Sequence, residues 1–253
     1  GRGRVNGREG PAGPDRALRS DANWFIRGTA LLARTITRSL TRVRISGALA
    51  AVPRQGPLII ASNHVSNADG VLVGAWLTPR LGRRIHWLGK REITEWPVIG
   101  RIALAGSIHP VDRENVEIEV FRLMVRILDA GNAVVVFPEG TRSPTGALQR
   151  ARDGVALLAL RTDATILPVG VVDTDRFWPK GRPPRIGGRV EMRVGEPFRL
   201  ADVLPAGLDR RAAKAAATEL IMARIAGLLP ARQQGVYGPP AESDPGVSAQ
   251  GVR

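Results

Sequence analysis

Short apolar runs that end in polar or turn-forming residues constrain the fold of this chain most strongly. Three of them occupy residues 58–61, 133–137 and 165–171. Runs of this length are typical of buried strands, and the stretches between them carry the three- and four-residue apolar spacing of helices. Strands that alternate with helices predict an α/β sandwich. The spacing leaves the direction of the strands open.

The same reading predicts the remaining secondary structure. We expect further strands at residues 43–47, 85–88 and 188–195. Helices are predicted from residue 67 or 69 to 77, before Pro79, and at residues 114–129, 151–160 and 210–229. The apolar stripe of the helix at 114–129 is interpreted as core rather than as the wall of a ligand tunnel.

Composition divides the chain into four parts. Residues 1–15 are rich in Gly, Arg and Pro and are predicted to be flexible, as is a tail at residues 230–253. Residues 44–229 form the predicted single domain. Residues 16–43 predict an amphipathic helix with a basic face. Two interpretations of this helix stay open: packing on the core, or contact with a membrane surface through Trp24, Phe25 and its arginines.

Charge and cysteine content exclude several kinds of site. The formal net charge is +14, and among the basic residues only Lys90, Lys180 and Lys214 are lysines. Such a surface favours anionic membranes, whereas the small aromatic fraction argues against nucleic acid as a partner. The chain has no cysteine, which excludes disulfides, thiolate metal sites and a cysteine nucleophile. No metal site is predicted, because the three histidines show no ligand spacing of a known kind.

A candidate general base follows the first apolar run. His64 and Asp69 lie in the turn between the predicted strand and the next helix. A neutral imidazole can accept a proton from an alcohol near pH 7, and a carboxylate can fix its tautomer. A hydrogen-bonded structural histidine is the alternative. Ser66, two residues from the base, is a further candidate nucleophile that we consider weaker.

Polar groups also follow the second apolar run. Glu139, Gly140, Thr141 and Arg142 come directly after Pro138, where the strand is predicted to end. The guanidinium of Arg142 could bind a phosphate in bidentate fashion or pair with Glu139. Arg113 has two similar interpretations, as a phosphate ligand or as a solvated helix start. Lys90 and Arg91 could attract the phosphates of a ligand or an acidic protein face, or could simply be surface charge.

These segments resemble the motifs of the glycerolipid acyltransferase family, of the 1-acyl-sn-glycerol-3-phosphate acyltransferase type. Residues 63–69 look like its first motif, N-H-x-S-x-x-D, and residues 137–143 match its third motif, F-P-E-G-T-R-S. Arg113 falls where the second motif carries its arginine, and residues 166–169 resemble the fourth motif. Residues 90–93 and 96–100 resemble the segment between the first two motifs. The second motif departs from the family pattern at His109 and Pro110; His109 is read as an acceptor contact or, preferably, as a structural residue.

The resemblance, which covers about residues 45–200, implies an activity and partners. It implies a mixed sheet flanked by helices, with the motifs at one edge. The implied reaction moves a fatty acyl group from acyl-coenzyme A or acyl carrier protein to a lysophospholipid hydroxyl, in phospholipid biosynthesis. The preferred acceptor is 1-acylglycerol 3-phosphate, which gives phosphatidic acid. His64 and Asp69 would be catalytic, and Arg113, Glu139, Gly140, Thr141 and Arg142 would bind substrate, with no cofactor.

Two alternatives to this activity remain, and the location is an expectation of its own. The acceptor could be glycerol 3-phosphate or a glycolipid, or the protein could be a non-catalytic basic protein that binds lipid or nucleic acid. The expected location is peripheral, on an anionic membrane surface at the cytoplasmic face of the plasma membrane. No run of 18 apolar residues is present in the sequence.

Overall fold

The computed structural model describes residues 24–90, 107–111 and 117–239. The strands are β1 (Arg42–Gly47), β2 (Leu58–Ser62), β3 (Ile85–Lys90), β4 (Ile108–Val111), β5 (Ala133–Val136), β6 (Thr165–Val172) and β7 (Arg189–Val194). The helices are α1 (Trp24–Leu40), α2 (Ala68–Leu81), α3 (Glu117–Asp129), α4 (Gly154–Thr162), α5 (Thr174–Phe177), α6 (Leu200–Val203), α7 (Arg210–Ala226) and α8 (Ala231–Gln234), with a 3₁₀ turn at Gly235–Tyr237.

The strands form one mixed sheet in the order β1-β7-β6-β2-β5-β3-β4. Neighbouring strands run parallel except for β6 and β7, which are antiparallel. The central strands β2, β5 and β6 therefore end at the same edge of the sheet. Strand β7 is antiparallel to β6 and therefore begins at this edge. Strand β1 is parallel to β7, so it begins at this edge as well.

Alternate side chains of the central strands pack on opposite faces of the sheet. Leu58 and Ile60 lie in one apolar cluster, together with residues of α2. Ile59 and Ala61 lie in a second cluster, together with residues of α3, α4 and α7. A strand that is buried on both faces must be apolar throughout, which explains the uninterrupted run at residues 58–61. The predicted mixed sheet with helices on both sides is confirmed.

Several elements differ from the sequence-based prediction. The amphipathic helix predicted to extend to residue 43 ends at Leu40, and residues 42 and 43 already belong to β1. The short helices α5 and α6 were not predicted. The second helix continues through Pro79 to Leu81, where Gly82 ends it with a φ of 69°. A proline this close to the end removes only one hydrogen bond from the last turn. Strand β4 was not predicted because Pro110 interrupts its pattern; β4 is an edge strand, where proline is tolerated. Residues 231–237 are helical, so the flexible tail predicted from residue 230 does not begin there.

The C-terminal turns pack against the domain instead of leaving it. Gln233 is buried, and its backbone carbonyl accepts a hydrogen bond from the backbone N–H of Leu148 at 2.9 Å. The hydroxyl of Tyr237 accepts one from the N–H of Ala151 at 3.0 Å. These bonds fix the loop that follows β5, which the sequence could not indicate because the partners lie about 86 residues apart.

The amphipathic helix α1 packs on α2 through only part of its surface. Ile26 and Ala30 are buried, whereas Leu31, Leu32 and Ile36 are at least half exposed. The predicted part of this helix before Trp24 lies outside the described residues. Within the described ranges, no helix combines the length and apolar character needed to cross a bilayer.

Candidate active site

The structure brings His64 and Asp69 into contact at the edge where β2 ends. Strand β2 ends at Ser62 and α2 begins at Ala68, so that His64 lies in the connecting loop and Asp69 in the first helical turn. Nδ1 of His64 lies 2.8 Å from Oδ2 of Asp69. Because an ionised carboxylate can only accept, Nδ1 carries the proton, and Nε2 is left to accept one from a substrate.

Asp69 is fully buried, and its carboxylate is held by four donors. Oδ2 also accepts hydrogen bonds from the backbone N–H groups of Val65 and Ser66, both at 2.7 Å. Oδ1 accepts one from the hydroxyl of Thr174 at 2.5 Å. A charge buried away from water is tolerated only when such partners replace its hydration. The carboxylate is therefore fixed before any substrate binds, and it fixes the imidazole in turn.

Thr174 is a site residue that the sequence analysis missed. It lies in α5, directly after β6, and is as completely buried as Asp69. No local pattern joins two residues that are 105 positions apart. Its position shortly after the third apolar run could have indicated this role, because the residues that follow parallel neighbouring strands lie at the same edge of the sheet.

Replacing Thr174 by valine should lower turnover about tenfold or more and leave the KM for both substrates nearly unchanged. Valine keeps the shape of threonine but leaves Oδ1 of Asp69 without a donor, and a buried unsatisfied acceptor costs roughly 1–3 kcal/mol. The measurement is steady-state kinetics of the folded variant. Thr174→Ser restores the hydroxyl and should recover most of the activity. Equal kcat values for the valine variant and the wild type would exclude a positioning role.

A second motif supports the backbone of His64. The imidazole stacks on the ring of Phe137, with centroids 4.0 Å apart. Glu139 is buried, and its two oxygens accept from the N–H groups of His64 at 2.9 Å and Gln149 at 3.0 Å. The N–H of Ser143 donates to the carbonyl of His64 at 2.7 Å. Residues 137–143 thus hold the loop that carries the candidate base.

Burial shifts the pKa of the Glu139 carboxyl. Desolvation raises the pKa of this carboxyl, although the two backbone donors and His64 oppose the shift. Its two oxygens bind the backbone N–H groups of His64 and Gln149, so Glu139 anchors the loop that carries the candidate base. The exposed residue Gly140, at a φ of 70°, leaves space for Arg152; a β-carbon at this position would lie 2.9 Å from the Arg152 Cδ.

Arg142 lies beside the loop of the candidate base rather than beside Glu139. Its guanidinium donates a hydrogen bond to Oδ1 of Asn67 at 2.7 Å. The oxygens of Glu139 are occupied by the backbone of His64 and Gln149, so the alternative of an Arg142–Glu139 ion pair is wrong. One of the five N–H donors of Arg142 is used in this contact, and the others remain suitable for an anion.

Ser66 is not placed as a nucleophile. Its side chain is buried, and its hydroxyl donates to the carbonyl of Trp178 at 2.8 Å. The same oxygen accepts a hydrogen bond from the N–H of Ala68 at 3.1 Å. The hydroxyl thus stabilises the start of α2.

Among the remaining predicted residues, only His109 is described with its side chain, and it lies in the edge strand β4. Arg113 and Arg91 lie outside the described residues, as does the side chain of Lys90. His109 in β4 stacks on His86 of β3, and their Nε2 and Nδ1 atoms lie 2.9 Å apart. Burial lowers the pKa of both imidazoles, that of His86 to about 4, which favours the structural interpretation of His109. Among the described residues, no three metal-ligating side chains form a group that could hold a metal ion.

The chain is similar in sequence to known acyltransferases. The chain is 33% identical over 125 residues to a 1-acyl-sn-glycerol-3-phosphate acyltransferase of Cocos nucifera. The aligned region is 48% of this chain and 39% of that protein. It is 28% identical over 175 residues to the Bacillus subtilis protein of the same name, which covers 69% of this chain and 82% of that protein. The match thus spans about two fifths of the plant relative and most of the bacterial one.

A solved structure supports the fold independently. The crystal structure of the 1-acyl-sn-glycerophosphate acyltransferase from Thermotoga maritima superposes with a TM-score of 0.63 at 23% identity, over 80% of this chain and 78% of that one. The sequence model of the family described as Acyltransferase matches residues 42–172, more than half of the chain. This segment contains β1 to β6 and, among the described residues, all hydrogen-bond partners of His64 and Asp69 except Thr174. On this evidence the chain belongs to the Acyltransferase family.

Proposed function

We propose that this protein is an O-acyltransferase that moves a fatty acyl group from a thioester to the free hydroxyl of 1-acylglycerol 3-phosphate. The product would be phosphatidic acid, an intermediate of phospholipid biosynthesis. The observation that carries the proposal is the imidazole of His64, oriented by a buried, fully hydrogen-bonded Asp69. The names of the relatives support the acceptor, and family membership supports the reaction.

The proposed reaction is a direct transfer. Nε2 of His64 removes the proton of the acceptor hydroxyl as its oxygen attacks the thioester carbonyl carbon. The carbon–sulfur bond then breaks, and the thiolate leaves with the proton from the imidazolium. Asp69 stabilises the imidazolium between these two steps. No acyl-enzyme is needed because the thioester is already activated, which agrees with the engaged hydroxyl of Ser66.

The donor is proposed to be acyl-coenzyme A or acyl carrier protein. Arg142, held beside the catalytic loop by Asn67, is proposed to bind the acceptor phosphate, with Gly140 and Thr141 beside it. Arg113 is proposed as a second phosphate ligand from its place in the motif.

The direct test is an acceptor panel assayed with the purified protein and one acyl-coenzyme A. We expect thiol release to depend on 1-acylglycerol 3-phosphate, with phosphatidic acid detected by mass spectrometry. Glycerol 3-phosphate, a lysophosphatidylcholine and a monoacylglycerol are the comparison acceptors. Faster transfer to glycerol 3-phosphate or to the neutral acceptor would show that the acceptor is wrong. The absence of thiol release with all four, and with acyl carrier protein as donor, would contradict the transferase itself.

Replacing Arg142 by alanine should raise the apparent KM for 1-acylglycerol 3-phosphate by tenfold or more. A charge-assisted hydrogen bond to phosphate contributes roughly 1.5–3 kcal/mol, and a monoacylglycerol has no phosphate to lose. The measurement compares the two acceptors in the variant and the wild type. Arg210→Ala, an exposed arginine at the start of α7, is the matched control. Equal losses for both acceptors would make Arg142 a structural residue.

We also propose that the protein works at a membrane surface. Its acceptor and product are lipids, and α1 exposes Leu31, Leu32 and Ile36 by 58%, 60% and 51%. Apolar side chains beside arginines are typical of helices that lie in the boundary between headgroups and acyl chains. The basic net charge adds attraction to anionic lipids.

A further inference from the structure

A basic cleft opens between the end of α1, the start of β1 and the start of β7. Its volume is about 780 Å³. Four arginines line it, together with the backbone of the glycine pair before β7; they are Arg38, Arg42, Arg44 and Arg189. None of these residues belongs to the motifs that form the candidate active site.

The positive charge of this cleft is only partly compensated. Among the described residues, the guanidinium groups of Arg42 and Arg44 have no hydrogen-bond partner and form no ion pair. Glu191 contacts Arg189 at 3.1 Å, but the same carboxylate also binds Arg193 at 2.8 Å. This hydrogen bond with Arg193 is the largest cause that lowers the pKa of Glu191. One shared carboxylate thus faces several guanidinium groups, which are suited to a phosphate.

An apolar groove adjoins this cleft and includes residues next to the candidate active site. The groove has a volume of about 280 Å³ and lies between α1, α2 and α5; it shares Leu40 with the cleft. The groove is also lined by Ala68, which precedes Asp69, and by Trp178, whose carbonyl binds Ser66. A basic cleft that continues into an apolar groove has the two parts of a site for a phosphate-bearing lipid.

The cleft is too far from His64 to hold the phosphate of a reacting acceptor. Strand β1 is separated from β2 by β7 and β6, and three strand spacings amount to about 14 Å. In 1-acylglycerol 3-phosphate the phosphate and the free hydroxyl sit on neighbouring carbons. An anion in the cleft would therefore belong to a second molecule. The side chain of Ile186, 84% exposed, lies at the rim and could enter a bilayer.

We propose that the cleft binds the phosphate of an anionic lipid headgroup, with one acyl chain of that lipid in the adjoining groove. This inference extends the proposed membrane association by naming the site and the class of ligand. Bound there, the lipid would hold the sheet edge that carries His64 against the membrane surface.

The test is vesicle flotation of the full chain without acyl donor, so that the result does not depend on transferase activity. Phosphatidylcholine vesicles carry either phosphatidic acid or phosphatidylserine, adjusted to the same surface charge. We expect tighter binding to phosphatidic acid, whose phosphate is exposed. Arg42→Lys/Arg44→Lys keeps the charge but removes the bidentate forks, and it should lower the affinity for phosphatidic acid at least tenfold.

Controls separate this site from a diffuse charge and from a soluble ligand. Arg210→Gln/Arg211→Gln removes two exposed charges on α7, which packs on the opposite face of the sheet, and should bind phosphatidic acid vesicles nearly as the wild type does. Equal binding of the lysine variant and the wild type would show that the cleft acts only by charge and would overturn the proposal. Displacement of the protein from vesicles by coenzyme A, but not by inorganic phosphate at the same concentration, would contradict the proposal and assign the cleft to the acyl donor.

Discussion

Replacing His64 by alanine should lower kcat by about 10²–10⁴-fold while the protein stays folded. The imidazole works only as the proton moves, so its loss raises the barrier by roughly 3–5 kcal/mol. The backbone bonds of residue 64 to Glu139 and Ser143 do not need the side chain and should survive. The measurement is turnover with saturating acyl-coenzyme A and 1-acylglycerol 3-phosphate, with circular dichroism to follow the fold.

The stacking of His64 on Phe137 allows a second check on this result. Alanine also removes this contact, so a lower melting temperature would be expected from packing alone. His64→Gln retains more of the side-chain volume and should be as inactive as His64→Ala. A folded variant of either kind with more than about a tenth of wild-type turnover would exclude His64 as the general base.

Replacing Asp69 by asparagine should lower kcat by about 10²-fold or more. Asparagine has the shape of aspartate, and its oxygen can still accept from the N–H groups of Val65 and Ser66 at the Oδ2 position. It carries no negative charge, so the imidazolium that forms in the transition state loses its partner. The expected pattern is a lower kcat with little change in KM, measured with the same substrates.

Asp69→Ala provides the contrast that separates catalysis from stability. It leaves buried N–H groups and the hydroxyl of Thr174 without an acceptor, and each unsatisfied group costs roughly 1–3 kcal/mol. We therefore expect Asp69→Ala to unfold at a clearly lower temperature than Asp69→Asn. Near wild-type kcat in a folded Asp69→Asn protein would mean that the carboxylate charge has no role in the reaction.

The sequence was sufficient where the controlling interactions are local. The strand at residues 58–61 is apolar at every position because both of its faces are buried, and this can be read without a structure. The His64–Asp69 pair was equally accessible, because the two residues are only five positions apart in the chain. The motif at residues 137–143 predicted a contribution to the site, although its exact partners were not visible.

The residue roles around this pair depended on contacts between distant segments. Glu139 was expected near substrate, yet its oxygens bind the backbone of His64 and Gln149. Arg142 was expected to meet a phosphate or Glu139, and its protein partner in the structure is Asn67, which neither interpretation contained. Which protein group a side chain meets is decided by the relative positions of β2 and β5, which periodicity does not contain.

The amino-acid sequence by itself determined the alternation of strands and helices, the two motifs and the pairing of His64 with Asp69, because hydrophobic periodicity and short loops act within a few residues. Only the tertiary structure decided the strand order, the antiparallel β7 and the contact of Thr174 with Asp69. Strands far apart in the chain become neighbours through the packing of two apolar faces, and many pairings satisfy the same apolar pattern. The residues that complete the site are therefore fixed by the sheet as a whole.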